Sequence, residues 1–188
     1  MVKYDKYYEL IKKQSYIFDK SQNCNIGQTW QYHLYPVIQN AIMLAIDYGA
    51  NKDVVELAAI FHDYADLIDI NNRDKHHIIG ANLAKDILQN DGFDSDFIDK
   101  VCTCIKNHRA SVKIEKNSIE EICVADADAL SHLDNVVELL CWRAYLGEDI
   151  QTANQFVKTK IIKSYNKMSK LSQNKFLDKY NAILKILY

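Results

Sequence analysis

The segment AAIFHDYAD, residues 58–66, ends an apolar run with an imidazole beside a carboxylate, His62 and Asp63. A buried carboxylate is costly unless it is paired or bound to a metal ion. A hydrogen bond from His62 to a backbone carbonyl and an ion pair from Asp63 to a lysine would be ordinary ways to satisfy the pair. The distribution of the other histidines and aspartates favours a metal site instead.

More candidate ligands lie close to the predicted ends of other helices. They are His33, His76, His77, His108, Asp126 and Asp128. Alternate helix ends meet on the same side of an antiparallel bundle, so these side chains can converge at one mouth. A single histidine on an apolar face is usually an ordinary core residue, but the joint placement favours metal binding.

Imidazole and carboxylate together suit divalent Fe, Mn, Co, Ni or Zn. One ion would be held by His33, His62, Asp63 and Asp128. Asp63 has a second oxygen and could bridge to a second ion, at roughly the 3.5–4 Å separation of two-metal hydrolases. The ligands specific to that ion would be His76 and His108, with His77 as the alternative to His76. We therefore expect one or two divalent ions per chain.

The elements that must position these residues are predicted to be helices. Only 5 Gly and 1 Pro occur, and apolar residues recur at helical spacing. The pattern predicts an all-α bundle of eight or nine helices, at about 4–20, 31–48, 53–66, 76–90, 95–107, 118–130, 132–146, 149–170 and 173–187. Asn51, Asp94, Ser118 and Asp149 are predicted helix caps. The third helix is apolar nearly all round, so it should lie centrally.

The 188 residues fit a single domain, with a core at about 28–135 and a helical appendage at about 136–188. The net charge of −2 gives no attraction to a nucleic-acid polymer. The sequence has no 18-residue apolar run and no leader pattern, so we expect a cytoplasmic protein without membrane association. Its five cysteines are irregularly spaced and are expected to be reduced thiols.

The appendage is rich in lysine. Residues 155–188 contain eight Lys and a single acid, Asp178. This composition is compatible with a phosphate-attracting face or with the solvated side of helices. The lysines are spread along the segment and are not clustered with aromatic residues, which favours the solvated side.

The pattern of His33, His62-Asp63 and Asp128 resembles the signature of the HD superfamily of metal-dependent phosphohydrolases. The resemblance covers about residues 28–135 and includes GQTWQYHLYPVIQNA, AAIFHDYAD, HHIIGANLA, IKNHR and ADADAL. It implies an all-α fold, transition-metal or Mg ions, and hydrolysis of a phosphate ester or anhydride, often in a nucleotide. Asp128 matches the ligand position. Asp126, about 200° away around the helix, would support the ligands from behind or cap a helix.

The spacing from His76 to Gly80-Ala81, together with His108, is similar to the members of the superfamily that carry two metals. By this resemblance Asp63 would bridge the ions. His76 or His108, if not a ligand, would donate a proton to the leaving group.

Two expected phosphate contacts differ from the usual pattern of the superfamily. Many members follow HD with Gly and Lys, where this chain has Tyr64, Ala65 and Asp66, and Ala129 replaces a basic residue after Asp128. The replacements we expect in substrate binding are Arg73, Lys75, His77, Lys106 and Arg109. Arg109 is the preferred one, because a guanidinium can bind phosphate with two parallel hydrogen bonds.

The leading prediction is a phosphohydrolase acting on a nucleotide or another small phosphorylated metabolite. One alternative is a mixed-valence di-iron oxygenase, since a branch of the superfamily uses the same six ligands. Another is a ligand-binding or signalling domain that retains metal without turnover, for which Asp66 and Ala129 are the supporting signs. His132 is predicted to be structural. The last helices are expected to pack on the core, and they are candidates for a homodimer interface.

Overall fold

The computed structural model describes residues 3–22, 28–109 and 116–187. Within these ranges the chain forms α-helices, one π-helical turn (Trp30–Leu34), one 3-10 turn (Ile70–Asn72) and no strand. The α-helices are α1 (Asp5–Ser21), α2 (Tyr35–Tyr48), α3 (Lys52–Phe61), α4 (Tyr64–Ile68), α5 (His76–Asn90), α6 (Ser95–Asn107), α7 (Ile119–Asp134), α8 (Val136–Tyr145), α9 (Ile150–Lys167), α10 (Lys170–Lys175) and α11 (Leu177–Ile186). The predicted all-α class is confirmed. Cys24 lies outside the described residues, as do residues 23–27 between the predicted helices 4–20 and 31–48 and residues 110–115 between the predicted helices 95–107 and 118–130.

Local capping explains where several helices begin. The side chains of Asn51, Asp94, Ser118 and Asp149 each accept a hydrogen bond from a backbone N–H in the first turn of α3, α6, α7 and α9, respectively. These bonds satisfy donors that have no partner inside the helix. All four predicted caps are therefore confirmed.

Three predicted helix boundaries are wrong. The helix expected at 53–66 ends at Phe61, and α4 begins after Asp63, whose φ of −109° and ψ of 13° leave the helical region. The break expected near residue 131 falls at Asn135. The last predicted helix is interrupted at Phe176. None of the three breaks contains a glycine or proline, the residues that usually indicate a helix break in a sequence.

Helix α3 lies in the middle of the fold, as predicted. Every residue of Val54–Phe61 is buried, and the helix packs against α1, α2, α5, α6 and α7. Apolar neighbours on all sides explain why its sequence lacks a polar face. The His62-Asp63 pair, which follows the last turn of α3, therefore lies inside the fold.

The buried apolar side chains form two clusters, and α7 contributes to both. Cys123, Val124 and Ala127 belong to the larger cluster around α3. Leu130 and Leu133 belong to a smaller one made with α9 and the end of the chain. Helix α7 thus joins the C-terminal helices to the helices around α3, and Tyr48 of α2 also forms a hydrogen bond with Ser172.

Two further predictions concern the cysteines and membranes. Cys102, Cys104 and Cys123 are buried free thiols, and Cys141 is an exposed one. Among the described residues, no helix combines the length and apolar character needed to cross a membrane.

Candidate metal centre

Six side chains meet where several helices begin, end or pass. His62 ends α3, His76 begins α5, and His108 follows α6. Asp63 lies between α3 and α4. His33 comes from the π-helical turn. The convergence of helix ends agrees with the expected arrangement except at Asp128, which lies well inside α7 because that helix continues to Asp134.

Three of the histidines are held by their own backbone. The Nδ1 atoms of His62, His76 and His108 lie 2.8, 2.7 and 2.6 Å from the carbonyl oxygen of the residue three positions earlier. A carbonyl only accepts hydrogen bonds, so each Nδ1 must carry the proton. In the neutral ring, Nε2 is then the unprotonated nitrogen, with its lone pair free to bind a cation.

His33 reaches the same tautomer through a side chain. Its Nδ1 lies 3.2 Å from the hydroxyl of Ser131, which itself donates to the backbone carbonyl of Asp128 at 2.8 Å. Because the hydroxyl has one proton and uses it there, it accepts from His33. His33 therefore also presents an unprotonated Nε2.

The four Nε2 atoms surround the carboxylate of Asp63. His33 and His62 lie 3.0 and 3.3 Å from its Oδ2, and His76 and His108 lie 3.4 and 3.5 Å from its Oδ1. The two oxygens thus face two different pairs of histidines. Asp63 therefore belongs to two groups of candidate ligands, one through each oxygen.

Within each pair, the Nε2 atoms of the two rings face each other, and both are unprotonated when the rings are neutral. Nε2 of His62 is 3.3 Å from Nε2 of His33, and Nε2 of His76 is 3.2 Å from Nε2 of His108. Two lone pairs repel at this distance unless a proton or a metal ion lies between them. The donor set fits divalent transition metals, because neutral imidazole and carboxylate are their usual ligands. Asp128 extends the first centre, with Oδ1 3.7 Å from Nε2 of His33.

The electrostatics agree with a site built for positive charge. Without a metal ion the histidine Nε2 atoms can carry protons instead. Burial then opposes ionisation of Asp63, but the positive charge of His62 and the hydrogen bonds donated by protonated His108 and His33 hold the pKa of this carboxyl well below its usual range. Burial also disfavours charging His62, yet Asp63 and Asp128 raise its pKa to about 9. The carboxylates therefore stabilise a cation at the imidazoles.

The candidate phosphate contacts are placed unequally. Arg73 and Arg109 line the cavity in front of the carboxylates, and Nη1 of Arg109 donates to the backbone carbonyl of Asp74. Lys75 is exposed and lies outside the cavity lining. His77 is buried, and it also lies outside the lining. Burial and the neighbouring His76 lower the pKa of His77, whose Nδ1 has no hydrogen-bond partner within the described residues. The structure thus separates Lys75 and His77 from the wall that they were expected to form. The exposed Lys106, also expected there, lies outside the cavity lining too.

Asp126 does not support the ligands from behind. Its carboxylate accepts hydrogen bonds from the backbone N–H of Ser169 at 2.9 Å and from the Ser169 hydroxyl at 2.5 Å. Ser169 in turn caps α10. Of the two roles expected for Asp126, the structure favours the one at a helix end, where it fixes the junction of α9 and α10.

The residue that follows the HD pair by three positions is also in the cavity. Asp66 replaces the usual lysine, and its Oδ1 is buried without a hydrogen-bond partner within the described residues. Burial, followed by repulsion from Asp63, raises the pKa of its carboxyl. Ala129 is buried in the smaller apolar cluster, so its position could not carry a phosphate contact.

The metal centre opens into a cavity of about 690 Å³. Sequence reasoning missed one wall, which is formed by α8 and α9 and includes Trp142, Lys160 and Lys167. The spacing of Lys160, Ser164 and Lys167 by four and three positions is a helical face and was the available signal. It was hidden among eight lysines that are otherwise evenly spread.

His132, predicted to be structural, also lines the cavity. Its ring stacks on that of His33, with centroids 5.9 Å apart, and its Nδ1 lies 3.0 Å from the hydroxyl of Ser164. With His33 and Asp128 it forms a third group of donor atoms close enough for one ion. Burial lowers the pKa of His132 to about 3, so the ring is neutral near pH 7.

Comparison with known proteins identifies the class to which this fold and site belong. The sequence model of the HD domain family matches residues 30–133, which is more than half of the chain. The chain therefore belongs to the HD domain family. Ribonuclease Y of Rubrobacter xylanophilus is 31% identical over 105 residues, but the chain spans only 18% of that relative's length.

Solved structures show the same fold over nearly the whole chain. Bacillus subtilis YpgQ, in complex with ADP, has a TM-score of 0.67 at 18% identity, covering 97% of this chain and 92% of that one. An HD-superfamily hydrolase from Bacillus thuringiensis has a TM-score of 0.65 at 21% identity, covering 96% and 94%. A predicted HD superfamily hydrolase from an uncultured Thermotogales bacterium has a TM-score of 0.58 at 19% identity, covering 96% and 92%.

Proposed function

We propose that the protein is a metal-dependent phosphohydrolase that cleaves a phosphate ester or anhydride bond in a nucleotide or another small phosphorylated metabolite. The observation that carries the proposal is the two facing pairs of histidine Nε2 atoms on either side of Asp63. They stand at the floor of a cavity large enough for a small ligand. The hydrolase names of two structural neighbours support the reaction class, and the ADP complex of YpgQ supports a nucleotide.

Two divalent ions would fit the donor atoms present. One would be held by His33, His62, Asp63 and Asp128, and the other by Asp63, His76 and His108. When bound, such ions polarise a phosphoryl oxygen and activate water near neutral pH. Mn, Fe, Co and Ni suit this mixed donor set better than Mg, which prefers oxygen ligands.

The protein's own groups have distinct tasks in this proposal. Asp63 offsets the positive charge of both centres through its two oxygens. Arg73 and Arg109 hold the phosphate at the mouth of the cavity, where a guanidinium can bind two oxygens. His76 and His108 direct unprotonated nitrogens inward, so they suit ligation better than proton donation.

Metal analysis of the purified protein, followed by a panel of phosphate esters and anhydrides, tests the proposal. We expect release of phosphate or pyrophosphate with added Mn or Co and none after chelation. Oxygen consumption that depends on iron, without phosphate release, would instead support the di-iron oxygenase alternative. A metal-loaded protein that releases no phosphate and consumes no oxygen would support a binding or signalling domain.

Arg109→Ala tests the phosphate contact within the same assay. A guanidinium binds the substrate and not the cation, so we expect weaker substrate use with unchanged metal content. Lys75→Ala is the matched control, because Lys75 is a cation near the same mouth but outside the cavity lining. Full activity of Arg109→Ala would transfer the role to Arg73.

A further inference from the structure

One face of α9 is directed at the cavity, whereas a neighbouring face, about 100° around the helix, is buried in the smaller apolar cluster. Phe156, Lys160 and Lys167 line the cavity. Ser164 belongs to the same face and is hydrogen bonded to His132, another lining residue. The intervals of four, four and three residues are those of one helical face. The helix thus brings two ammonium groups to the wall above the metal centre.

Lys160 has a charge that no group in the described part of the chain pairs directly. It donates no hydrogen bond there and forms no ion pair, although Asp128 and Asp63 are near enough to stabilise its charge. Burial lowers the pKa of Lys160, and nearby Lys167 and Arg73 lower it further. Three cations therefore face the same space in front of the carboxylates, and an anion between them would relieve their repulsion.

The wall formed by α8 and α9 also has aromatic and aliphatic side chains. Trp142, Tyr145, Leu146 and Phe156 line the cavity, and Tyr145 and Leu146 are 48% and 53% exposed. The guanidinium of Arg143 lies 3.9 Å from the ring centroid of Phe156, so the wall is held in place by a cation–π contact. Exposed aromatic groups beside cations suit a ligand that joins a flat ring to phosphate.

We propose that α8 and α9 form the substrate-binding wall of the active site. Lys160 and Lys167 bind the phosphate groups, and Trp142 with Tyr145 packs against the base of a nucleoside phosphate. The inference rests on the proposed function for the choice of ligand. It assigns to the C-terminal helices the contacts that Asp66 and Ala129 cannot make.

Binding of two non-hydrolysable probes to Mn-loaded protein tests the lysines. The probes are methylenediphosphonate, which has only the phosphate part, and α,β-methylene-ADP, which also has the base. We expect Lys160→Ala to weaken both by roughly 10-fold or more, because a charge-assisted hydrogen bond is lost. Lys160→Arg should restore most of the affinity. Lys163→Ala is the control, because Lys163 is exposed on the same helix and outside the lining.

Trp142→Ala tests the aromatic end with the same probes. It should weaken α,β-methylene-ADP by about 10-fold and leave methylenediphosphonate unchanged, because only the former has a ring to stack. Trp142→Phe should bind like the wild-type protein. Thermal unfolding and Mn content, measured for every variant, show that the fold and the metal centre are intact.

The inference is overturned if the wild-type protein binds neither probe, or if folded Lys160→Ala with full Mn content binds both as tightly as the wild type. Equal losses in Lys160→Ala and Lys163→Ala would also overturn it, since they would reflect net charge alone. If the wild-type protein hydrolyses a compound of the panel but Lys160→Ala binds both probes as the wild type does, only this inference fails. If the probes bind in a Lys160-dependent way but no compound of the panel releases phosphate with added metal, only the proposed hydrolase function fails.

Discussion

The two halves of the candidate metal centre are built differently. In the inner half, His76 and His108 are buried, and each is fixed by a carbonyl of its own backbone. In the outer half, the side chains of His33 and Asp128 are 25% and 23% exposed, and His33 is fixed by the hydroxyl of Ser131 on another helix. The ring orientation of both inner histidines therefore depends on local structure, whereas that of His33 in the outer half requires α7 to be docked correctly. Substitutions outside the ligands should affect the outer half more.

Asp63→Ala should have the largest effect on metal binding and activity, because it affects both halves of the site. The substitution removes the carboxylate that both histidine pairs share and leaves their nitrogens facing each other without a counter-charge. We expect loss of both ions by elemental analysis, no measurable activity and a lower melting temperature. Asp66→Asn is the control: it changes a neighbouring carboxylate in the same cavity, and the variant should retain its metal. One remaining ion in Asp63→Ala would show that Asp63 does not bridge.

His76→Ala or His108→Ala should remove the inner half alone. Each deletes one of two facing nitrogens, so roughly one ion per chain should remain, with activity reduced about 100-fold or more. His77→Ala is the matched control and should keep both ions, since its ring is outside the cavity lining. If the wild-type protein holds one ion under saturating Mn and both variants hold the same ion, the two-centre arrangement is wrong.

Ser131→Ala should weaken the outer half while leaving the inner one unchanged. The hydroxyl fixes the tautomer of His33, and loss of such a contact typically costs 10- to 100-fold in metal affinity. In a Mn titration we expect the weaker of two binding steps to shift and the other to stay. The inner centre is the control within the same molecule. An equal shift of both steps would mean that the halves are not independent.

His132→Gln should change the pH dependence of stability beside the outer half. The pKa of His132 is about 3 in the fold, against about 6.5 for an unfolded chain. Between these values the unfolded state binds the additional proton, so this residue makes stability fall as the pH falls below about 6.5. Urea unfolding of metal-free protein at pH 7 and pH 5 should show a smaller loss for His132→Gln than for the wild type. Equal losses would contradict a buried neutral ring.

Sequence and structure agree where the signal is local. Asn51, Asp94, Ser118 and Asp149 were predictable caps because their side chains bond to the next turn. The candidate ligands could be selected because imidazole and carboxylate groups occurred near predicted helix ends. Those signals depend on neighbouring residues and require no knowledge of tertiary packing.

The remaining features depend on packing. The break after Phe61 has no turn-forming residue, and the chain leaves the helix at Asp63, where its carboxylate reaches two histidine pairs. Lys160 and Lys167 were not separable from the other lysines, because the direction of that face is set by the apolar side of α9. Such positions are determined by contacts between distant segments.

The π-helical turn at Trp30–Leu34 makes the outer half sensitive to chain length. A π-type turn contains one residue more than an α-turn, and removal of one residue would rotate the following side chains by about 100°. A one-residue deletion here would therefore direct His33 away from Asp63, whereas many substitutions in the turn would not. In an alignment of related chains, a gap at this point should mark proteins that keep the inner centre and lack the outer one.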